Sequence, residues 1–208
     1  MADVERHEFF PTCIYRFKHD FKENELNNVV KHIEDNSLSE QNGQIIKRTG
    51  SQTQNELHKI DTFANLTKTI IDATKSILDE QGYVGEVEIT NMWGNILRPQ
   101  SQRAHAPHTH SNNFLSGVFY LKTSDDTSPI KFFDARPQSD VLKPRKKEYN
   151  RLNSNIAQFQ SETGWGVVFP SWLQHWVPET KDERMSIAWN IIVRGEYGEP
   201  NALQNAHI

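Results

Sequence analysis

Apolar positions follow two different rhythms along this chain. Up to about residue 84 most of them recur at helical spacing; beyond Gly85 they come in short runs and alternations. Leu26, Val29, Val30 and Ile33 share one face of a helix spanning residues 24–33. Phe63, Leu66, Ile70, Ala73 and Ile77 predict a second helix over 62–81, with Asp61 as N-cap and Gly82 as its C-terminal stop. Ahead of both, the β-branched and aromatic run from Phe9 to Phe17 reads as a first strand. From Asn36 to Leu57 the chain is polar, and Ile45-Ile46 is its one apolar pair, so a long loop with at most a short strand is expected. Strands follow at 87–95, 114–121, 130–133, 164–169 and 184–193. Two helices before many short strands predict an α+β protein, with the helices packed outside a β-sandwich or jelly roll.

Two of these strands are two-faced. In the run from Val87 to Asn95 the odd positions begin apolar and end as Asn91, Trp93 and Asn95, so one face passes from core to polar pocket wall. From Arg184 to Asn190 the apolar residues Met185, Ile187 and Trp189 alternate with Arg184, Ser186, Ala188 and Asn190. Because side chains alternate across a strand, one face packs while the other lines a cavity. An arginine fork there can hold a carboxylate in a bidentate pair, and Ser186 can donate to the same group.

Composition narrows the class. At 208 residues, with 36% hydrophobic and 24% charged residues, the chain suits one soluble domain. We divide it into an N-terminal strand with supporting helices (1–84), a β-core (85–194) and a tail (195–208). A formal charge of -4 gives no strong nucleic-acid signal. A single cysteine, Cys13, excludes an internal disulfide and favours a reducing, cytoplasmic setting. No apolar run reaches membrane-spanning length.

Three of the nine histidines crowd into Arg103-Ala104-His105-Ala106-Pro107-His108-Thr109-His110, just before the apolar run from Phe114 to Leu121. A fourth, His175, follows Phe169-Pro170-Ser171-Trp172-Leu173-Gln174. His-x-His on an extended segment puts both rings on one side, and a distant strand can supply a third ligand. Iron that must activate oxygen needs about three protein ligands on one face and open positions opposite. His108, His110 and His175 meet that need, and Arg184 adds an anion anchor. His105 reads as an outer or solvent residue and as an alternative to His110 as ligand, and Asp134 is the carboxylate best placed to replace His110 in a two-histidine, one-carboxylate triad.

These stretches, together with Phe10-Pro11-Thr12, Asn91 to Asn95, Phe132 to Arg136 and Gly164 to His175, resemble the 2-oxoglutarate/Fe(II)-dependent dioxygenase superfamily. The branch they are most similar to is frequent in marine bacteria and phages. The resemblance spans almost the whole chain. It implies a double-stranded β-helix of cupin-like type, Fe(II) held by His108, His110 and His175, and 2-oxoglutarate bound by Arg184. In related enzymes a Tyr or Asn of the inner strands also touches the cosubstrate, which here points to Tyr120, Asn91 or Asn95. It further implies O2-dependent hydroxylation of a C–H bond with release of succinate and CO2. Most of the superfamily carries Asp or Glu where this chain has His110. The alternatives are a three-histidine cupin-like dioxygenase without 2-oxoglutarate and a non-catalytic metal-binding module. The substrate is expected to be a small molecule, a peptide or a protein, and a homodimer is left open. Between Ala135 and Arg151 a segment rich in Lys and Arg joins two strands, where such folds elaborate loops over the metal mouth; a lid and a plain connection are both consistent with it.

Overall fold

The computed structural model describes residues 3–41, 44–47, 51–100, 104–136, 138 and 141–208. In chain order the elements are β1 (Tyr15–Lys18), α1 (Glu23–Asn36), β2 (Leu38–Gln41), β3 (Gln44–Lys47), α2 (Ala64–Gln81), β4 (Glu86–Leu97), β5 (His105–His108), β6 (Leu115–Lys122), β7 (Ile130–Phe133), β8 (Ile156–Phe159), β9 (Trp165–Pro170), β10 (His175–Val177), β11 (Arg184–Arg194), β12 (Glu196–Tyr197) and β13 (Ala206–His207). The larger sheet runs β1-β9-β6-β11-β4 and the smaller one β5-β10-β7-β8. All their pairings are antiparallel. From β4 to β11 the chain passes repeatedly from one sheet to the other, the winding of a double-stranded β-helix. The fold is α+β, with helices on one side of a two-sheet sandwich.

Two cores hold these layers together. The outer one joins Ile33 of α1 and Leu66 and Ile70 of α2 to Met92, Ile96, Phe119, Ile187 and Trp189 on the outer face of the larger sheet. The inner one, between the sheets, joins Val118, Tyr120, Val167 and Phe169 to Ile130 and Phe132. Gly117 faces the Trp189 indole so closely that a Cβ would run into the ring. The free edge of β4 is covered by Thr53, whose backbone N–H donates to the Gly94 carbonyl and whose Oγ1 accepts from the Gly94 N–H, and the Met92 N–H donates to the Asn55 carbonyl. This covering blunts an edge that would otherwise pair with another chain.

The structure departs from the sequence reading in four places. The first strand begins only at Tyr15, and Phe9 and Phe10 are exposed. They sit in a stretch whose Pro11 lacks a ladder donor. Asp61 does not cap α2; it opens a short 3-10 turn, and Phe63 occupies the N-cap position without a side-chain hydrogen bond. Gly82 does end α2, in the left-handed conformation at φ 73. The polar stretch 36–57 holds the β2–β3 hairpin, and the tail folds back so that β12 pairs with β13.

Candidate metal and cosubstrate site

β5 and β10 are short neighbours in the smaller sheet, with His175 opposite His108 and opposite Phe132. His110 lies just past the end of β5, where its backbone N–H donates to the Ser171 carbonyl. This places the three rings around one point: ligand atoms of His108, His110 and His175 all lie within 4.8 Å of one another. His110 Nε2 and His175 Nε2 are 3.3 Å apart. Two imidazoles on neighbouring positions of one metal, with bonds of about 2.1 Å, have nitrogens roughly 3.0–3.4 Å apart. The donor set therefore fits a divalent metal.

Orientation comes from the backbone. His108 Nδ1 donates to the Ala106 carbonyl at 2.7 Å and His175 Nδ1 to the Leu173 carbonyl at 2.9 Å. In each case the acceptor is two residues upstream, and the bond fixes the tautomer that presents a bare Nε2. Burial lowers the His175 imidazole to about 3, with neighbouring histidines adding to the effect and the Leu173 carbonyl opposing it. Burial and His108 bring His110 to about 4. Both rings are thus neutral near pH 7, as ligands must be. Phe169 and Phe132 shield the cluster, with ring centres 4.6 and 5.9 Å from that of His175. Trp93 approaches His110 at 6.2 Å.

Arg184 is 1% exposed. Its Nε donates to Ser161 Oγ and one terminal nitrogen to Ser186 Oγ, both at 3.0 Å, and its guanidinium lies 4.9 Å over the Tyr120 ring. Among the described residues no carboxylate pairs with it. Nearby, the buried Tyr120 hydroxyl has no hydrogen-bond partner. A buried lone cation costs several kcal/mol and an unmet buried hydroxyl about 1–3 kcal/mol. A carboxylate within reach of both groups would offset both deficits.

The remaining candidate residues separate along the strands. Asn95, Ser186 and Tyr120 stand in one register row across β4, β11 and β6, so Asn95 belongs to the Arg184 end. Asn91 stands with Asn190 and Ser116 in a row nearer the histidines. There Asn190 donates to Asn91 Oδ1, and Ser116 donates to Asn190 Oδ1 and contacts Ser171. His105 lies between the two ends. Its imidazole is lowered to about 4 by burial first and then by Arg184 and His108. Asp134 is not part of the histidine cluster and binds Arg136 through both oxygens. Ser161 escaped the sequence reading, since nothing in Gln160-Ser161-Glu162 marks it; only the fold brings it to Arg184.

Residues 91–190 match the model of a family described as "Putative 2OG-Fe(II) oxygenase". A search of the curated proteins finds no match. Among solved structures, a Pseudomonas putida prolyl-4-hydroxylase aligns with TM-score 0.58 and 13% identity, covering 88% of this chain and 94% of that one. The non-heme alpha ketoglutarate dependent epimerase SnoN from nogalamycin biosynthesis gives 0.59 and 10%, covering 92% and 83%. The viral collagen prolyl hydroxylase of Paramecium Bursaria Chlorella virus-1, solved as a 2OG complex, gives 0.52 and 12%, covering 86% and 94%. At these identities the structural likeness speaks for the fold.

Proposed function

We propose that the chain, whose residues 91–190 match the model of the 2OG-Fe(II) oxygenases, oxidises a C–H bond of its substrate, with His108, His110 and His175 as iron ligands and Arg184 as the anchor of 2-oxoglutarate. Iron, 2-oxoglutarate and O2 supply the oxidising power when bound, yielding succinate and CO2 beside the oxidised product.

The chain's own residues do the rest. The Ala106 and Leu173 carbonyls keep two Nε2 lone pairs aimed at the centre. Arg184, Ser186 and Tyr120 hold the far carboxylate, so the near end of the cosubstrate lies toward the histidines. Phe132 and Phe169 keep water from the cluster and lower its dielectric, which strengthens every charge interaction there. Three neutral imidazoles leave the metal one unit more positive than a site with a carboxylate ligand, which favours anionic co-ligands.

The observation that carries this reading is the pairing of a three-histidine cluster with a buried arginine that no carboxylate among the described residues neutralises. Arg184 also favours a 2-oxoglutarate enzyme over a three-histidine dioxygenase that needs no cosubstrate, because the latter has no use for a buried anion anchor. Anaerobic iron loading followed by 2-oxoglutarate should give a visible charge-transfer band that is absent with either component alone. Stoichiometric iron with no band and no succinate on admission of O2 would sink the proposal.

A further inference from the structure

The segment joining β7 to β8 departs in charge from the rest of the chain. From Ala135 to Arg151 it holds six Lys and Arg against two acids, a net +4 within a chain of net -4. It also leaves the sheet at the metal's end. Phe132 is in register with His175, the Phe133 N–H donates to the Gln174 carbonyl, and the Asp134 N–H donates to the Asn155 carbonyl, closing the loop's base. Among the described residues of this loop, Arg136 pairs with Asp134 and Arg151 with Glu8, and Lys143 is engaged as well. Arg145, Lys146 and Lys147 ion-pair with no described carboxylate, and all three are exposed.

Apolar side chains are exposed among these cations. Val141, Leu142 and Leu152 are 75%, 84% and 60% exposed. A groove of about 220 Å³ runs between Arg136, Leu142, Lys143, Pro144, Lys146 and Leu152. That is below the roughly 300–1,000 Å³ of small-molecule pockets, and it suits one or two side chains of an extended peptide. A surface for single-stranded nucleic acid would instead offer free aromatic faces for base stacking. Here Tyr149 is the aromatic residue of the segment, and the Lys146 ammonium already sits over its ring at 4.8 Å.

We propose that this segment docks an acidic stretch of a protein partner, one whose carboxylates alternate with apolar side chains, at the mouth of the metal site. Insofar as that partner is the molecule oxidised, the inference rests on the function proposed above; the docking itself does not. The test uses the full-length, metal-free protein and a fluorescein-labelled peptide of four Glu-Glu-Leu repeats, followed by anisotropy at low salt. Saturable binding is expected. The triple variant Arg145→Ser, Lys146→Ser, Lys147→Ser should weaken it at least about tenfold, since exposed ion pairs contribute modestly but add up. Leu142→Ser should weaken that peptide but not an all-glutamate peptide of equal length. No saturable binding, binding unaffected by the triple variant, or tighter binding of an oligouridine of the same length would each overturn the proposal. Because no metal is present, such a failure leaves the oxygenase reading untouched, and a failure of iron loading leaves peptide binding intact.

Discussion

The two faces of the larger sheet are built from the same strands and do opposite work. On β11, Met185, Ile187, Trp189 and Ile191 point outward into an apolar core closed by α1 and α2. Between them Arg184, Ser186 and Asn190 point inward and are buried as well. The outer face gains from burial, at about 25 cal/mol per Å² of apolar surface. The inner face gives up part of that gain to keep polar groups where a ligand can meet them. Alternation with period two therefore lets one strand carry stability and chemistry side by side.

The largest expected effect breaks the outer face. Trp189→Ala removes a fully buried indole packed on Gly117 and Phe17. It should cost about 3–5 kcal/mol of stability, read as a lower denaturant midpoint. Metal and cosubstrate affinity of the molecules that remain folded should be unchanged.

The inner-face counterpart is Arg184→Ala. It should weaken 2-oxoglutarate binding by about 2–5 kcal/mol, roughly two orders of magnitude or more. Stability should hold or rise, because the substitution deletes a buried charge that has no carboxylate partner among the described residues. Calorimetric titration checks the first expectation and urea unfolding the second. If both variants lowered stability alike and left 2-oxoglutarate affinity unchanged, the division between the faces would be false.

A smaller effect sharpens the comparison through pH. Burial lowers His175 to about 3 and His110 to about 4 on the inner side, and it lowers His19 beside the outer core. An imidazole whose folded pKa is depressed takes up protons more readily when unfolded. Its contribution is then fully present above the ordinary value near 6.5 and is lost as pH falls toward the folded value. The urea midpoint of metal-free protein should therefore fall steadily from pH 7 to pH 4. His175→Ala should flatten that slope more than His19→Gln. A midpoint independent of pH over this range contradicts the neutral, buried state of these rings.

The same contrast explains what could be read from the sequence. Long elements with a clean period were legible: α2 from its helical spacing, β6 and β11 from their runs and alternation. His108, His110, His175 and Arg184 stood out because their residue types are costly to bury without a task. β5 and β10 were not legible as strands. Each is four residues or fewer, and β5 contains Pro107, so neither develops a pattern, although together they position two of the three rings. Ser161 and the carbonyls of Ala106 and Leu173 act through backbone geometry and long-range folding, which leave no local mark. The Asp61 cap failed because the chain makes a 3-10 turn before α2, a tertiary choice that propensity does not foresee.

The most direct test of the central claim is X-ray absorption at the iron edge on anaerobically loaded Fe(II) protein, with and without 2-oxoglutarate. Three imidazoles should appear in the metal's first shell in both states, falling to two in His110→Ala, with 2-oxoglutarate adding oxygen donors. Two imidazoles and a carboxylate in the native protein, unchanged by His110→Ala, would contradict the three-histidine site and send the search back to a carboxylate such as Asp134.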